Sequence, residues 1–77
     1  MVTVNGEARD FREGESVLEL VSATFGRQLR QDGRPLDGGR LGVAVAIGDA
    51  IVPRGSWAVT LLEDGMSLEL VTAVQGG

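Results

Sequence analysis

Val2 and Val4 fall on one face of residues 1–5, with Thr3 between them, the two-residue period of a half-buried strand. Asn5-Gly6 follows, the dipeptide best suited to a type I′ turn, whose two central residues both need positive φ. The pattern therefore predicts a hairpin, with a second strand over residues 8–12 and a turn at Glu13-Gly14-Glu15. At Ser16 the period changes. Ser16-Val17-Leu18-Glu19 reads as a capping box, in which the serine hydroxyl accepts from a backbone amide one turn on and the glutamate reaches back. Val17, Leu20, Val21 and Thr24 then recur at helical spacing, flanked by Leu18 and Phe25, and Gly26 is placed to end the helix in the left-handed region. An ordinary amphipathic helix lying on a sheet is expected.

Residues 26–42 break both periods. Their five glycines, one proline and four arginines predict a long surface loop, with one helical turn over residues 27–31 at the most. Arginines in such a loop are first read as solvated, because no phosphate-cradling motif accompanies them. Val43-Ala44-Val45-Ala46-Ile47 is nearly all apolar and suits a strand buried on both faces. Gly48-Asp49 turns the chain into a short edge strand, Ala50-Ile51-Val52, which Pro53 ends because it cannot donate to a ladder. Residues 54–57 form a connector whose Trp57 caps one end of the core. After a turn at Glu63-Asp64-Gly65, Met66, Leu68 and Leu70 alternate with Ser67, Glu69 and Val71 along a last strand-like run over residues 67–74.

The element order β-β-α-β-(β)-β is satisfied by an α+β fold: a small mixed sheet with one main helix across it and the first and last strands parallel at its centre. That arrangement is the β-grasp, or ubiquitin-like, fold. It leaves residues 1–74 as one domain and residues 75–77 as a flexible tail running off the sheet.

Composition narrows the chemistry. A chain of 77 residues builds one domain with a modest core. No apolar run approaches a bilayer span and no signal-peptide pattern opens the chain, so a soluble, cytoplasmic protein is expected. Cysteine and histidine are absent, which removes thiolate nucleophiles, cysteine-held zinc or iron–sulfur clusters, and the usual general base near neutral pH. A net charge of −4 disfavours nucleic acid and anionic membrane as partners. All seven positive side chains are arginine, so no side-chain amine could accept an acyl group from another copy.

The remaining chemistry lies at the end. Gln75, Gly76 and Gly77 follow the last strand, and a terminal glycine carboxylate has no Cβ beside it to block a nucleophile or jam a narrow cleft. Stretched out, those three residues reach roughly 10 Å, enough to enter another protein's active site. The bland reading is a passive glycine-containing terminus, as termini commonly are. The sharper reading is a domain that presents its own C-terminus, with Gly77 as the covalent site and Gly76, Gln75, Val74 and Ala73 held by the partner. Val52 and Arg54 are added as candidate partner contacts.

Together, Val4-Asn5-Gly6, Gly14-Glu15-Ser16-Val17, Val45-Ala46-Ile47, Ile51-Val52-Pro53-Arg54 with Trp57, Asp64-Gly65 and the ending Val71-Thr72-Ala73-Val74-Gln75-Gly76-Gly77 resemble the ThiS family over essentially the whole chain. Met66 stands where the family often has aspartate, and residues 26–42 are longer and richer in arginine than in shorter members. The resemblance implies a sulfur carrier of thiamine biosynthesis, not an enzyme. Its Gly77 carboxylate would be adenylated by an E1-like adenylating enzyme using ATP and Mg²⁺. A cysteine-based sulfur donor would convert the adenylate to a thiocarboxylate, which thiazole synthase would consume. No cofactor would be bound by the carrier itself, and it would be a monomer when alone. The small subunit of molybdopterin synthase shares the fold and ending but usually has a Pro-Pro step where this chain has Thr72-Ala73. The same fold also serves β-grasp sulfur carriers of further pathways, ubiquitin-like modifiers, and non-covalent interaction modules in which the tail would be idle.

Overall fold

The computed structural model describes residues 1–72. Its elements are β1 (Val2–Val4), β2 (Glu7–Arg9), α1 (Val17–Phe25), β3 (Val43–Ile47), β4 (Ala50–Val52), a 3₁₀ helix (Arg54–Val59) and β5 (Ser67–Thr72). The strands form one mixed sheet in the order β2-β1-β5-β3-β4, with β1 and β5 parallel and the other neighbours antiparallel. This is the β-grasp arrangement. β5 lies at the centre, paired with β1 on one side and β3 on the other.

The Asn5-Gly6 turn forms as the dipeptide predicts, with φ of 51° and 84°. Its two-residue loop fixes the hairpin register at Val4↔Glu7, Thr3↔Ala8 and Val2↔Arg9. Because β1 begins at Val2, the pairing runs out at Arg9, and β2 covers Glu7–Arg9 rather than the expected residues 8–12. Both halves of the capping box are present at Ser16 and Glu19, and Gly26 ends α1 in the left-handed conformation (φ 64°, ψ 33°). The helix buries Val17, Leu18, Leu20 and Val21. Thr24 of the expected stripe is exposed instead, its hydroxyl donating to the Leu20 carbonyl at 2.7 Å.

Three further expectations are corrected. Residues 27–31 form no helical turn: Arg30 N–H donates to Arg34 O (2.7 Å) and Leu29 bridges Pro35, so the chain doubles back on itself. β3 is buried on one face only, Val43 and Val45 inward and Ala44 exposed, because α1 covers a single side of the sheet. Small alanine side chains let an apolar run tolerate that one-sided burial. The connector after Pro53 is a six-residue 3₁₀ helix, and it buries Trp57 to 1% exposure.

The core joins Val2, Val17, Leu20, Val21, Val45, Trp57 and Leu68, each nearly inaccessible, in one cluster between α1, the 3₁₀ helix and the sheet. Among the described residues every buried side-chain polar atom has a hydrogen-bond partner, and no helix is long and apolar enough to cross a membrane.

Candidate functional site

The sequence points to the far end of β5. Ala73, Val74, Gln75, Gly76 and Gly77 lie outside the described residues; the surface from which they depart does not. At that pole Thr72 pairs with Val43 and Val71 with Ala44, so the start of β3 flanks the end of β5. On the other side of β5 the Asn5 side chain takes over from β1. Its Nδ2 donates to Leu70 O at 3.2 Å, and its Oδ1 accepts from Leu70 N–H at 2.8 Å. The amide side chain thus mimics one more residue of parallel ladder and carries the pairing past the hairpin turn. The signal for this lay in the turn itself, where asparagine supplies a side chain that glycine would not.

Arg54 comes to the same pole, where it reaches the Val43 carbonyl, whereas Val52 ends β4 opposite Val45, midway along β3. Val52 is half-buried, and its carbonyl accepts from the Trp57 indole N–H at 3.1 Å. The Arg54 guanidinium is engaged inside the molecule: Nη2 donates to Leu41 O (2.7 Å) and, at longer range, Val43 O (3.4 Å), and Nη1 to Gly33 O (3.4 Å). Its Cζ sits 5.1 Å from the centre of the Trp57 ring, a cation–π distance. Arg54 therefore fastens residues 33–43 to the 3₁₀ helix. Gly33, with φ of 83°, packs beneath it, where an added Cβ would meet Arg54 O at 2.9 Å and Trp57 Cε3 at 3.2 Å.

That fastening gives the arginine-bearing loop a defined shape. Leu36 N–H donates to Gln28 O (2.8 Å), and Arg27 bridges Asp37 (3.2 Å) and the Arg40 carbonyl (3.3 Å). The Gly39 N–H and, secondarily, Arg27 hold the Asp37 carboxyl below the usual carboxylate range. Between the loop and the start of the 3₁₀ helix lies a groove of about 510 Å³ lined by Arg30, Arg34, Arg40, Arg54, Leu41 and Gly42, with Pro35, Gly38 and Gly39 completing it. A larger depression, about 1050 Å³, is at the opposite pole. It lies between Met1, Phe11, Leu61, Asp64 and Met66, where β1 and β5 begin, and so at the opposite end of β5 from Thr72. Among the described residues no three carboxylates converge as a metal site would require.

Residues 2–77 match the model of the ThiS family. The chain belongs to the ThiS family. The match takes in nearly every residue, the Gly76-Gly77 ending included. No curated protein matches the chain. Members of the ThiS family are small sulfur carrier proteins, generally not catalysts, that work with E1-like activating enzymes and sulfur transferases. In this ThiS-family chain β3 lies between Val52 and β5, and Arg54 reaches the carbonyl of Val43, the cross-strand neighbour of Thr72.

Proposed function

We propose that the chain is a sulfur carrier whose Gly77 carboxylate is adenylated and converted to a thiocarboxylate that supplies sulfur to thiazole synthase in thiamine biosynthesis. The observation that carries the reading is the family match over residues 2–77, which spans both the β-grasp body and the glycine pair. The chemistry asks little of the body. A carboxylate is a poor electrophile; transfer of an adenylyl group from ATP, with loss of pyrophosphate, gives its carbon a good leaving group. The terminal sulfur of the donor's cysteine persulfide then displaces AMP from the carbonyl carbon, and a thiol cleaves the resulting acyl disulfide, leaving the thiocarboxylate and a disulfide. ATP and Mg²⁺ belong to the activating enzyme, and the chain, lacking histidine, cysteine and lysine, acts as a cosubstrate. The folded part holds the base of the tail: β5 is fixed between β1 with its Asn5 extension and β3, so the partner receives a tail from a rigid root.

Intact-mass measurement after incubation with the activating enzyme, ATP and a sulfur donor tests the carrier step. One oxygen is expected to exchange for sulfur, and deletion of Gly77 abolishes the change. An unchanged mass with a competent activating enzyme refutes it. Rescue of a thiazole-requiring strain by the intact chain, and not by the Gly77-deleted chain, tests the pathway. Rescue of a molybdopterin-requiring strain instead would assign the other carrier role.

A further inference from the structure

The arginines of this chain divide by what they touch. Arg9 pairs with Glu15 (3.3 Å), Arg12 with Glu19 (2.9 Å) and Arg27 with Asp37 (3.2 Å), while Arg54 binds backbone carbonyls. The other three, Arg30, Arg34 and Arg40, are exposed, and among the described residues their guanidiniums have no ion pair or hydrogen bond. All three line the single groove against Leu41, Gly42 and Arg54. The two carboxylates of the same loop do not line it: Asp32 accepts from the Arg34 backbone N–H (3.0 Å) and Asp37 is taken up by Gly39 and Arg27. A protein of net charge −4 thus gathers its uncompensated positive charge in one place.

That place is the root of the tail. Gly42 precedes Val43, the cross-strand partner of Thr72, and Arg54 reaches the Val43 carbonyl. We infer that Arg30, Arg34 and Arg40 form a docking site for a carboxylate-bearing protein surface at the mouth of the cleft that receives the tail. The inference rests on the carrier reading for the identity of that partner, the activating enzyme, but not for the anion chemistry.

Geometry selects an acidic surface over a nucleotide. Residues 73–77 span at most about 16–18 Å when extended. With the tail drawn out in the partner's cleft, a nucleotide reacting with the terminal carboxyl would be held at its far end, away from guanidiniums at its root. What those guanidiniums meet is the cleft's rim, where paired donors of arginine match carboxylates in bidentate geometry. Nucleic acid is disfavoured by the negative charge of the rest of the molecule. Rim charges of this kind steer encounter and set salt dependence more than they alter the bound state. The groove therefore acts on capture of the carrier, leaving the chemical step to the partner.

Two experiments test this. In the first, kinetics of adenylation are compared for the intact chain and an Arg30→Glu/Arg34→Glu/Arg40→Glu variant, at about 20 mM and about 300 mM salt. The variant's KM is expected to rise about tenfold or more at low salt with kcat within about twofold, and the difference to shrink at high salt. Equal KM values at low salt overturn the inference. The urea midpoint of the variant serves as the folding control, since among the described residues the three guanidiniums make no ion pair or hydrogen bond. In the second, a hexaglutamate peptide, ATP and a short single-stranded RNA are titrated separately into ¹⁵N-labelled protein. Hexaglutamate is expected to move the amides of residues 29–42, and Arg→Gln replacement at the three sites to remove the response. No shift with hexaglutamate, or saturation by ATP or RNA at lower concentration, overturns it. If the intact chain is never adenylated, the carrier reading fails, and the peptide titration still decides the anion site.

Discussion

Replacing Arg54 probes the fastening on which the tail-side pole depends. Arg54→Ala removes one short charged hydrogen bond, to Leu41 O at 2.7 Å, and two long ones at 3.4 Å, to Val43 O and Gly33 O. A hydrogen bond to a charged group contributes about 1.5–3 kcal/mol, and the two long bonds add little at their distance. The contact with Trp57 at 5.1 Å adds about 0.5–1 kcal/mol. The expected loss is therefore about 2–4 kcal/mol. Against a total stability of about 4–12 kcal/mol for 77 residues, that is a large share. Arg54→Lys keeps the charge, but a single ammonium cannot serve the Leu41 and Gly33 carbonyls together, so it should recover less than half of the loss. Urea unfolding followed by the fluorescence of Trp57, the only tryptophan, and by circular dichroism measures both variants. Hydrogen exchange at the Arg30 and Leu36 amides, both donors within the loop, should accelerate more than at Leu20 in α1. A loss below about 0.5 kcal/mol for Arg54→Ala, or full stability with lysine, would show that the loop is held by something else.

Other contacts give further expectations. Gly33→Ala combines a left-handed φ with a Cβ driven against Arg54 and Trp57, so it should cost about 2 kcal/mol or more in urea unfolding and loosen the same loop amides. Asn5→Gly keeps the turn geometry but deletes both side-chain bonds to Leu70; a loss of about 1–2 kcal/mol with faster exchange at the Leu70 amide is expected, and an unchanged Leu70 amide would refute the clamp. The Asp64 carboxyl is held below its ordinary value of 3.8, chiefly by the hydrogen bond from the Met1 amine and then by that amine's charge. A carboxyl with a depressed folded-state pKa contributes stability that is present above the ordinary value and fades as pH falls through the folded one. Urea midpoints should therefore drop below about pH 4, and Asp64→Asn should flatten that drop. The slope should be shallow, since both partners are exposed.

Short-range features were legible in the sequence because each is closed by neighbours a few residues apart. The Asn5-Gly6 turn, the Ser16–Glu19 box and the left-handed Gly26 all form as their local chemistry dictates. The alternation of Met66, Leu68 and Leu70 was likewise sufficient to place β5, since a two-residue period permits only one buried face. The Gly76-Gly77 ending is legible as residue type alone, and the family match runs through it. What sequence could not supply were interactions between residues far apart. Nothing near residues 26–42 reveals that Arg54 organises them, because the carbonyls it binds are up to 21 positions away. The apolar run of β3 could not show that only one of its faces would be covered, since a single helix decides that from across the sheet. Nor could the spacing of Arg30, Arg34 and Arg40 show that they converge. Their shared groove exists only once the loop doubles back on itself and is fastened to Arg54. Residue chemistry thus determined what this chain can offer a partner, while long-range contacts, whose energy is gained only after distant segments meet, decided where on its surface the offer is made.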